Sequence, residues 1–162
     1  MRIFLVCLLL TLAACEPDAV EPSSTATSSA SRSIPFRIDG RLAFVRGTDT
    51  LKVIDIEVAD TDSSRARGLM ERAEIPEDTG MLFIFPQEAP QAFYMMNTPR
   101  SLDIQFYSAD STLVNIGYDT EPFSLDNVYS NGPAQFVVEV AAGVSRSLGL
   151  VPGDRITWEL TR

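Results

Sequence analysis

The sequence has no histidine, only two cysteines and a single lysine, and these shortages limit the chemistry that it can perform. Without histidine, Ser-His-Asp and Cys-His nucleophiles are excluded, as is a histidine-ligated zinc site. A Ser-Lys pair would need Lys52, which lies in a predicted strand with no serine close to it in the sequence. No glycine-rich phosphate loop or dinucleotide fingerprint occurs, so no cofactor is predicted. The inventory favours a protein that is not an enzyme.

Basic residues are also scarce relative to acidic ones. The chain has 13 lysine and arginine residues against 22 aspartate and glutamate residues, which gives a formal net charge of −9. Such a surface repels nucleic acid and anionic lipid head groups, so neither is predicted as a partner. The acidic residues are scattered along the chain, and their simplest role is solubility.

The first fourteen residues have the pattern of a targeting segment. Arg2 is their only charge and residues 3–12 are apolar, a run too short to span a bilayer, which needs about twenty residues. The following Leu12-Ala13-Ala14-Cys15 closely resembles the lipobox of bacterial lipoproteins. The resemblance implies that residues 1–14 are a cleaved signal peptide and that the sulfur of Cys15 receives a lipid. The alternatives are an ordinary secretory signal or a short membrane helix.

Processing at this site would leave no free thiol and no disulfide, because Cys7 is removed and Cys15 carries lipid. Residues 15–33 then comprise the lipidated cysteine and a tether rich in Ser, Thr, Ala and Pro, a composition typical of disorder. Glu16, rather than aspartate, follows Cys15, which by the enterobacterial sorting rule favours the outer membrane. The expected location is therefore the cell envelope, anchored by lipid, and in a Gram-negative host the outer membrane facing the periplasm.

Residues 34–162 are long enough for one domain. Its strands are predicted at residues 51–58, 81–85, 93–96, 102–107, 112–118, 134–140 and 155–160, with Asp39-Gly40 as a tight hairpin turn. A helix is predicted over 62–71 and a helical turn over 142–148, while Pro86 should end one strand and 119–133 should be a long loop. Many short strands with one or two helices indicate a mainly β domain, a compact barrel or sandwich, with α+β as the alternative.

Residues 93–106, FYMMNTPRSLDIQF, hold the most distinctive polar group of the chain. The first strand should end near Asn97, because Pro99 cannot donate to a ladder. Alternation in the next strand puts Asp103 on the face opposite the apolar residues, where a solvated charge is the default. Asn97, Thr98, Arg100 and Asp103 are therefore a candidate ligand-binding cluster. The simpler alternative is a turn in which Asn97 and Thr98 bond the local backbone.

Five segments carry a resemblance to a known family. They are residues 57–72 (EVADTDSSRARGLMER), 80–86 (GMLFIFP), 93–106, 135–143 (QFVVEVAAG) and 148–154 (LGLVPGD). In this order they resemble the bacterial and archaeal family called domain of unknown function 192. The resemblance implies a compact, mainly β domain, often placed behind a signal or anchor, with no established activity. Asn97, Thr98 and Asp103 match the family, whereas Met96 stands where it usually has lysine or arginine.

Two functional hypotheses follow. The first is a non-catalytic binding or accessory lipoprotein of the envelope, whose cluster of Asn97, Thr98, Arg100 and Asp103 binds a small polar molecule or an envelope protein. The second is a carboxylate-based hydrolase of envelope polysaccharide, which requires the carboxyl groups of Asp103 and Glu139 to lie about 5–10 Å apart. The same carboxylates with Asn97 would suit a hard cation only if they were close together, and no metal site is predicted.

Overall fold

The computed structural model describes residues 34–161, so the predicted signal peptide and the whole of the predicted tether lie outside the described residues. Its elements in chain order are β1 (Gly40–Arg46), β2 (Asp49–Ala59), α1 (Asp62–Arg67), β3 (Thr79–Phe93), β4 (Leu102–Tyr107), β5 (Leu113–Gly117), β6 (Val128–Ala141), α2 (Val144–Ser147) and β7 (Arg155–Leu160). They confirm a mainly β domain with short helices. Neither helix in this part of the chain is long and apolar enough to cross a membrane.

All seven strands belong to one sheet, in the order β5-β4-β6-β3-β2-β1-β7. Only β2 and β3 pair in parallel, with α1 in the crossover between them, and every other pairing is antiparallel. The sheet curls until its two edge strands meet at one end. There, Thr112 forms a bridge with Arg155, and the amide of Leu113 donates to the carbonyl of Asp154 at 2.7 Å. The result is a curled half-barrel.

The curl gives the sheet two buried faces rather than one. Every strand contributes to the core enclosed by the curl, which includes Phe44, Ile54 and Val138. A second core lies on the outer face, where Leu69, Phe83 and other apolar residues are covered by the segment that follows α1. Because both faces are covered, all six residues of β4 are buried.

The turns and helices follow local signals in the sequence. The β1–β2 hairpin turns at Gly47, whose φ of 59° is readily adopted by glycine. Thr61 caps α1, since its hydroxyl accepts from the amide of Ser64 and the Ser64 hydroxyl accepts from the Thr61 amide. The helix ends at Gly68, earlier than predicted, because the chain there turns to a φ of 49°.

Four predicted boundaries are wrong. The separate strand predicted at residues 93–96 is absent, because Phe93 is the last residue of β3 and residues 94–96 are not in a strand. Asp39-Gly40 is not a hairpin turn: Gly40 begins β1, and the Asp39 carboxylate accepts from the amide of Val58. Pro86 does not end a strand, because β3 runs on to Phe93. The proline lies where the register between β3 and β6 shifts, so its missing amide hydrogen leaves no hydrogen bond of the ladder unmade. Residues 128–133 of the predicted loop are the first part of β6, where they pair with the extension of β3.

Candidate functional site

An open groove lies on the outer face of the sheet, between the end of α1 and the last third of β3. Its volume is about 250 Å³, enough for a small molecule. Its lining comprises Arg65, Ala66, Arg67, Gly68, Leu69, Met70, Phe83, Phe85, Gln91, Ala92, Phe93, Tyr94, Thr98 and Glu139. We refer to it as the Glu139 groove, after the one carboxyl group in its lining.

Gly68 and the irregular part of β3 keep this groove open. A Cβ atom at Gly68 would lie 3.3 Å from the Cζ atom of Phe83 and 3.6 Å from Oε2 of Glu139, so a side chain there would enter the groove. The opposite wall is formed after the register of β3 with β6 shifts, between Ile84 and Ala89 and again between Pro90 and Ala92. Such irregularities bend a strand locally and redirect its side chains.

Aromatic rings form the wall on the β3 side. The ring of Phe93 meets those of Phe83 and Phe85 edge to face, with centroids 5.0 and 6.3 Å apart. The guanidinium group of Arg65 lies over the Phe85 ring, 5.4 Å from its centroid. The wall is therefore rigid, apolar and already in contact with one cation.

The two arginines of the rim already have partners within the protein. Arg65 bonds the Asp62 carboxylate at 2.5 Å and donates to the carbonyl oxygens of Asp60 and Ile84 at 2.6 and 2.8 Å. Arg67 forms an ion pair with Glu71 at 3.3 Å. Their positive charges are thus largely balanced before any ligand arrives.

Glu139 differs from these groups because its carboxyl group has no partner in the described part of the chain. The residue is 5 % exposed and lines the groove, yet within residues 34–161 no group donates a hydrogen bond to its carboxyl or forms an ion pair with it. Burial alone raises the pKa of the Glu139 carboxyl from 4.5 to about 8. A neutral carboxyl in contact with a groove can donate or accept a hydrogen bond, and it can ionise when a cation is beside it.

The structure does not bring the four predicted site residues into one pocket. Thr98 is 4 % exposed and is the only one of them in the lining of the Glu139 groove. Asn97 has a φ of 55°, and its carbonyl accepts from the amide of Glu71 at 2.8 Å. The Thr98 hydroxyl donates to the carbonyl of Met96 at 3.3 Å, and Arg100 is exposed. These bonds are those of a turn that joins neighbouring segments.

Asp103 is buried, and the expectation of a solvated charge is wrong. Its carboxylate lies on the inner face and accepts from the amides of Asp119 and Gly143, each at 3.1 Å, and of Ser145 at 2.9 Å. Three charge-assisted bonds to backbone amides account for a carboxylate with no exposed surface. Asp103 therefore fixes the loop before Asp119 and the start of α2.

The register of β4 with β6 excludes the paired-carboxylate hypothesis. Asp103 is opposite Val140 and Ile104 is opposite Glu139, so the two carboxyl groups project from opposite faces of the sheet. No substrate can contact both. Across residues 34–161 there is also no group of three or more acidic, histidine or cysteine side chains that could hold a metal ion.

The sequence predicted Glu139 only as the second carboxyl of a hydrolase pair with Asp103, and it did not predict the groove. One signal was available: Glu139 is the single charged residue in the apolar run of residues 134–140. A strand buried on both faces gives such a residue no route to solvent unless a cavity meets it.

Fold and groove together define a class: a curled half-barrel with a ligand-sized groove on its outer face. The DUF192 family model, described as "Uncharacterized ACR", matches residues 43–158, and the chain belongs to this family.

Two solved structures are similar. A putative transcription regulator from Sinorhizobium meliloti 1021 is 32 % identical, with 77 % of this chain and 96 % of that chain covered and a TM-score of 0.72. A protein of unknown function from Novosphingobium aromaticivorans DSM 12444 is 27 % identical, with 82 % and 99 % covered and a TM-score of 0.71. No curated protein matches the chain significantly.

Proposed function

We propose that this protein is a lipid-anchored binding module of the cell envelope, and that the Glu139 groove holds a small ligand without transforming it. The anchor rests on the lipobox-like Leu12-Ala13-Ala14-Cys15, and the ligand site rests on the groove. Of the predicted ligand-binding cluster, Thr98 lines the groove, and Asn97 supports the adjoining turn.

One observation carries the proposal, the carboxyl group of Glu139. Burying a carboxyl without a partner is unfavourable, and folded proteins tolerate it mainly at sites that use it. An exchange of Glu139 for a neutral residue would relieve this cost, so the native residue is best explained by a ligand that contacts it. The aromatic wall supplies the apolar area that small-ligand sites share.

Binding fits the groove better than catalysis because the charged and amide side chains that line it beside Glu139 are already engaged. Arg65 and Arg67 are paired, and the side-chain amide of Gln91 donates to the carbonyl of Ala134 at 3.2 Å. General acid-base catalysis usually requires a second group to orient or exchange the proton. Glu139 has no such partner in the part of the chain that the structure describes.

The relative from Sinorhizobium meliloti suggests a second function, in transcription. Direct contact with DNA is not favoured for this chain, because its net charge of −9 opposes the phosphate backbone.

A fragment screen tests the groove. The full-length protein in a neutral maltoside detergent is screened by ligand-observed NMR against a library of small soluble fragments. Ala92→Trp fills the groove from its exposed rim, and Ala109→Trp adds the same ring in the exposed turn between β4 and β5. We expect fragments that bind the wild type and Ala109→Trp but not Ala92→Trp. If no fragment distinguishes the two variants, the groove is not a ligand site.

A separate experiment tests the anchor. Cys15→Ser removes the sulfur that would carry the lipid. We expect the wild type to sediment with the membrane fraction and to incorporate labelled palmitate, and the variant to incorporate none. Equal labelling of the two proteins would refute lipidation at Cys15, and separation of inner from outer membranes tests the expected location.

A further inference from the structure

The charges around the Glu139 groove are arranged asymmetrically. Each cation of the rim has an acidic partner, Arg65 with Asp62 and Arg67 with Glu71. The carboxyl at the floor has no partner among residues 34–161. A ligand that enters this groove therefore meets one uncompensated acidic group beneath a rim whose charges are balanced.

The wall favours the same kind of ligand. Phe83, Phe85 and Phe93 line the groove together with the carboxyl, and Arg65 shows that the face of the Phe85 ring accepts a cation. Aromatic rings together with a carboxylate are the surroundings in which proteins bind organic ammonium groups. An anion would find only guanidinium groups that already have partners.

From this arrangement we infer that the Glu139 groove is selective for a small organic cation, whose ammonium group lies between the Glu139 carboxylate and the phenylalanine wall. This inference rests on the proposed ligand site and adds the chemical class of the ligand. The volume of about 250 Å³ limits the ligand to a small molecule or to one side chain or head group of a larger one.

If a cation binds beside Glu139, its affinity should depend on pH. Burial holds its pKa at about 8, so binding of a cation near neutral pH favours the ionised form and releases a proton. Affinity for a permanent cation should thus increase as the pH rises from 6 to 9. The other charged or titratable groups of the lining are Arg65 and Arg67 from α1 and Tyr94, which follows β3, while the residue opposite Glu139 on β4 is the apolar Ile104.

Three probes of nearly the same shape test the selectivity. Choline is a permanent cation, 3,3-dimethylbutan-1-ol is its neutral isostere, and 3,3-dimethylbutanoate places a carboxylate on the same branched head. Binding to the full-length protein in maltoside is measured by NMR titration at several pH values. We expect choline to bind about tenfold more tightly than the neutral isostere at pH 8, and the carboxylate to bind most weakly.

Two variants assign the selectivity to Glu139. Glu139→Gln keeps the shape of the side chain and should abolish both the preference for choline and its pH dependence, whereas Glu74→Gln, on the exposed surface, should change neither. Ala92→Trp should abolish binding of all the probes.

Equal binding of choline and its isostere, or tighter binding of the carboxylate, would overturn the inference while leaving a ligand groove in place. Absence of choline binding to a protein that binds fragments in the groove would overturn it as well. If fragments also fail to bind, the proposed function falls with it.

Discussion

Asp103 and Glu139 lie on adjacent strands but on opposite faces of the sheet, because Asp103 is paired with Val140 and Glu139 with Ile104. The two buried acids have different environments. Asp103 receives three backbone hydrogen bonds inside the curl, and Glu139 receives none from the described part of the chain and borders a groove. The carboxylate of Asp103 therefore stabilises the fold, whereas the carboxyl group of Glu139 is the one that we propose contacts a ligand.

The first prediction concerns Asp103. Asp103→Asn replaces one acceptor oxygen by an NH₂ group that faces backbone amides, so at least one buried donor loses its partner. We expect the free energy of unfolding to fall by about 2–4 kcal/mol, measured by urea denaturation. Glu139→Gln is the matched control, since it makes the same chemical change at a carboxyl that accepts no hydrogen bond from residues 34–161. Equal loss in both variants would contradict the structural role of Asp103.

The second prediction is a pH dependence of stability. Burial raises the pKa of Glu139 in the folded state to about 8, above its unfolded value of 4.5, so the folded state binds more protons between these values. The contribution of Glu139 to the free energy of unfolding is fully favourable below pH 4.5 and is lost as the pH rises towards 8. Glu139→Gln should match the wild type near pH 4 and exceed it by on the order of 3 kcal/mol at pH 7.

Urea denaturation of both proteins from pH 4 to pH 9 checks this dependence. Glu74→Gln, an exposed glutamate, should follow the wild type at every pH. A difference between Glu139→Gln and the wild type that stays constant with pH would show that Glu139 does not titrate with a raised pKa.

Local signals in the sequence were sufficient for most of the fold. The predicted strands at residues 51–58, 102–107 and 155–160 each depend on residues within a few positions of one another, and the structure has a strand at each place. The long strands were not predicted in full, because β3 passes through Pro86 and Pro90 only by means of register shifts with β6. Such shifts depend on a partner strand more than thirty residues away, which no local pattern reveals.

The site was harder to predict for a related reason. Alternation correctly separated Asp103 from Leu102 and Ile104, but it did not show that both faces of β4 are buried. That follows from the curl of the sheet, which brings β5 to β7 through the Thr112–Arg155 bridge. The Glu139 groove depends in turn on the early end of α1 at Gly68.

The third prediction concerns the buried ion pair of Arg72 and Glu57. The two side chains are 4 % and 11 % exposed, with a guanidinium nitrogen 2.8 Å from a carboxylate oxygen. Arg72 also donates to the carbonyl of Pro35 at 3.2 Å and lies over the Phe36 ring at 5.0 Å. Arg72→Ala should therefore destabilise the domain by about 3 kcal/mol, because it leaves the buried carboxylate of Glu57 with only the longer ion pair to the exposed Arg37, at 3.9 Å.

Two measurements check this prediction. Urea denaturation gives the loss of stability, and hydrogen exchange should show faster exchange at the amide of Arg37, which donates to Glu57 at 3.1 Å. Arg41→Ala removes an exposed pair with Asp55, 3.7 Å apart, and should cost less than about 1 kcal/mol. Similar losses in the two variants would show that burial does not strengthen the Arg72 pair.

The last prediction separates backbone strain from obstruction of the groove, by using two glycines with positive φ. Gly68 has a φ of 49° and faces Phe83 and Glu139, whereas Gly149 has a φ of 60° and nothing within 4 Å of its Cβ position. Alanine at Gly149 should cost about 1–2 kcal/mol through its positive φ, and alanine at Gly68 should cost more, because a ψ of −136° lies outside the left-handed helical region. Only Gly68→Ala should also weaken fragment binding, because its methyl group narrows the groove beside the Glu139 carboxyl. If Gly149→Ala weakens binding equally, the effect comes from general destabilisation, and Gly68 does not shape the site.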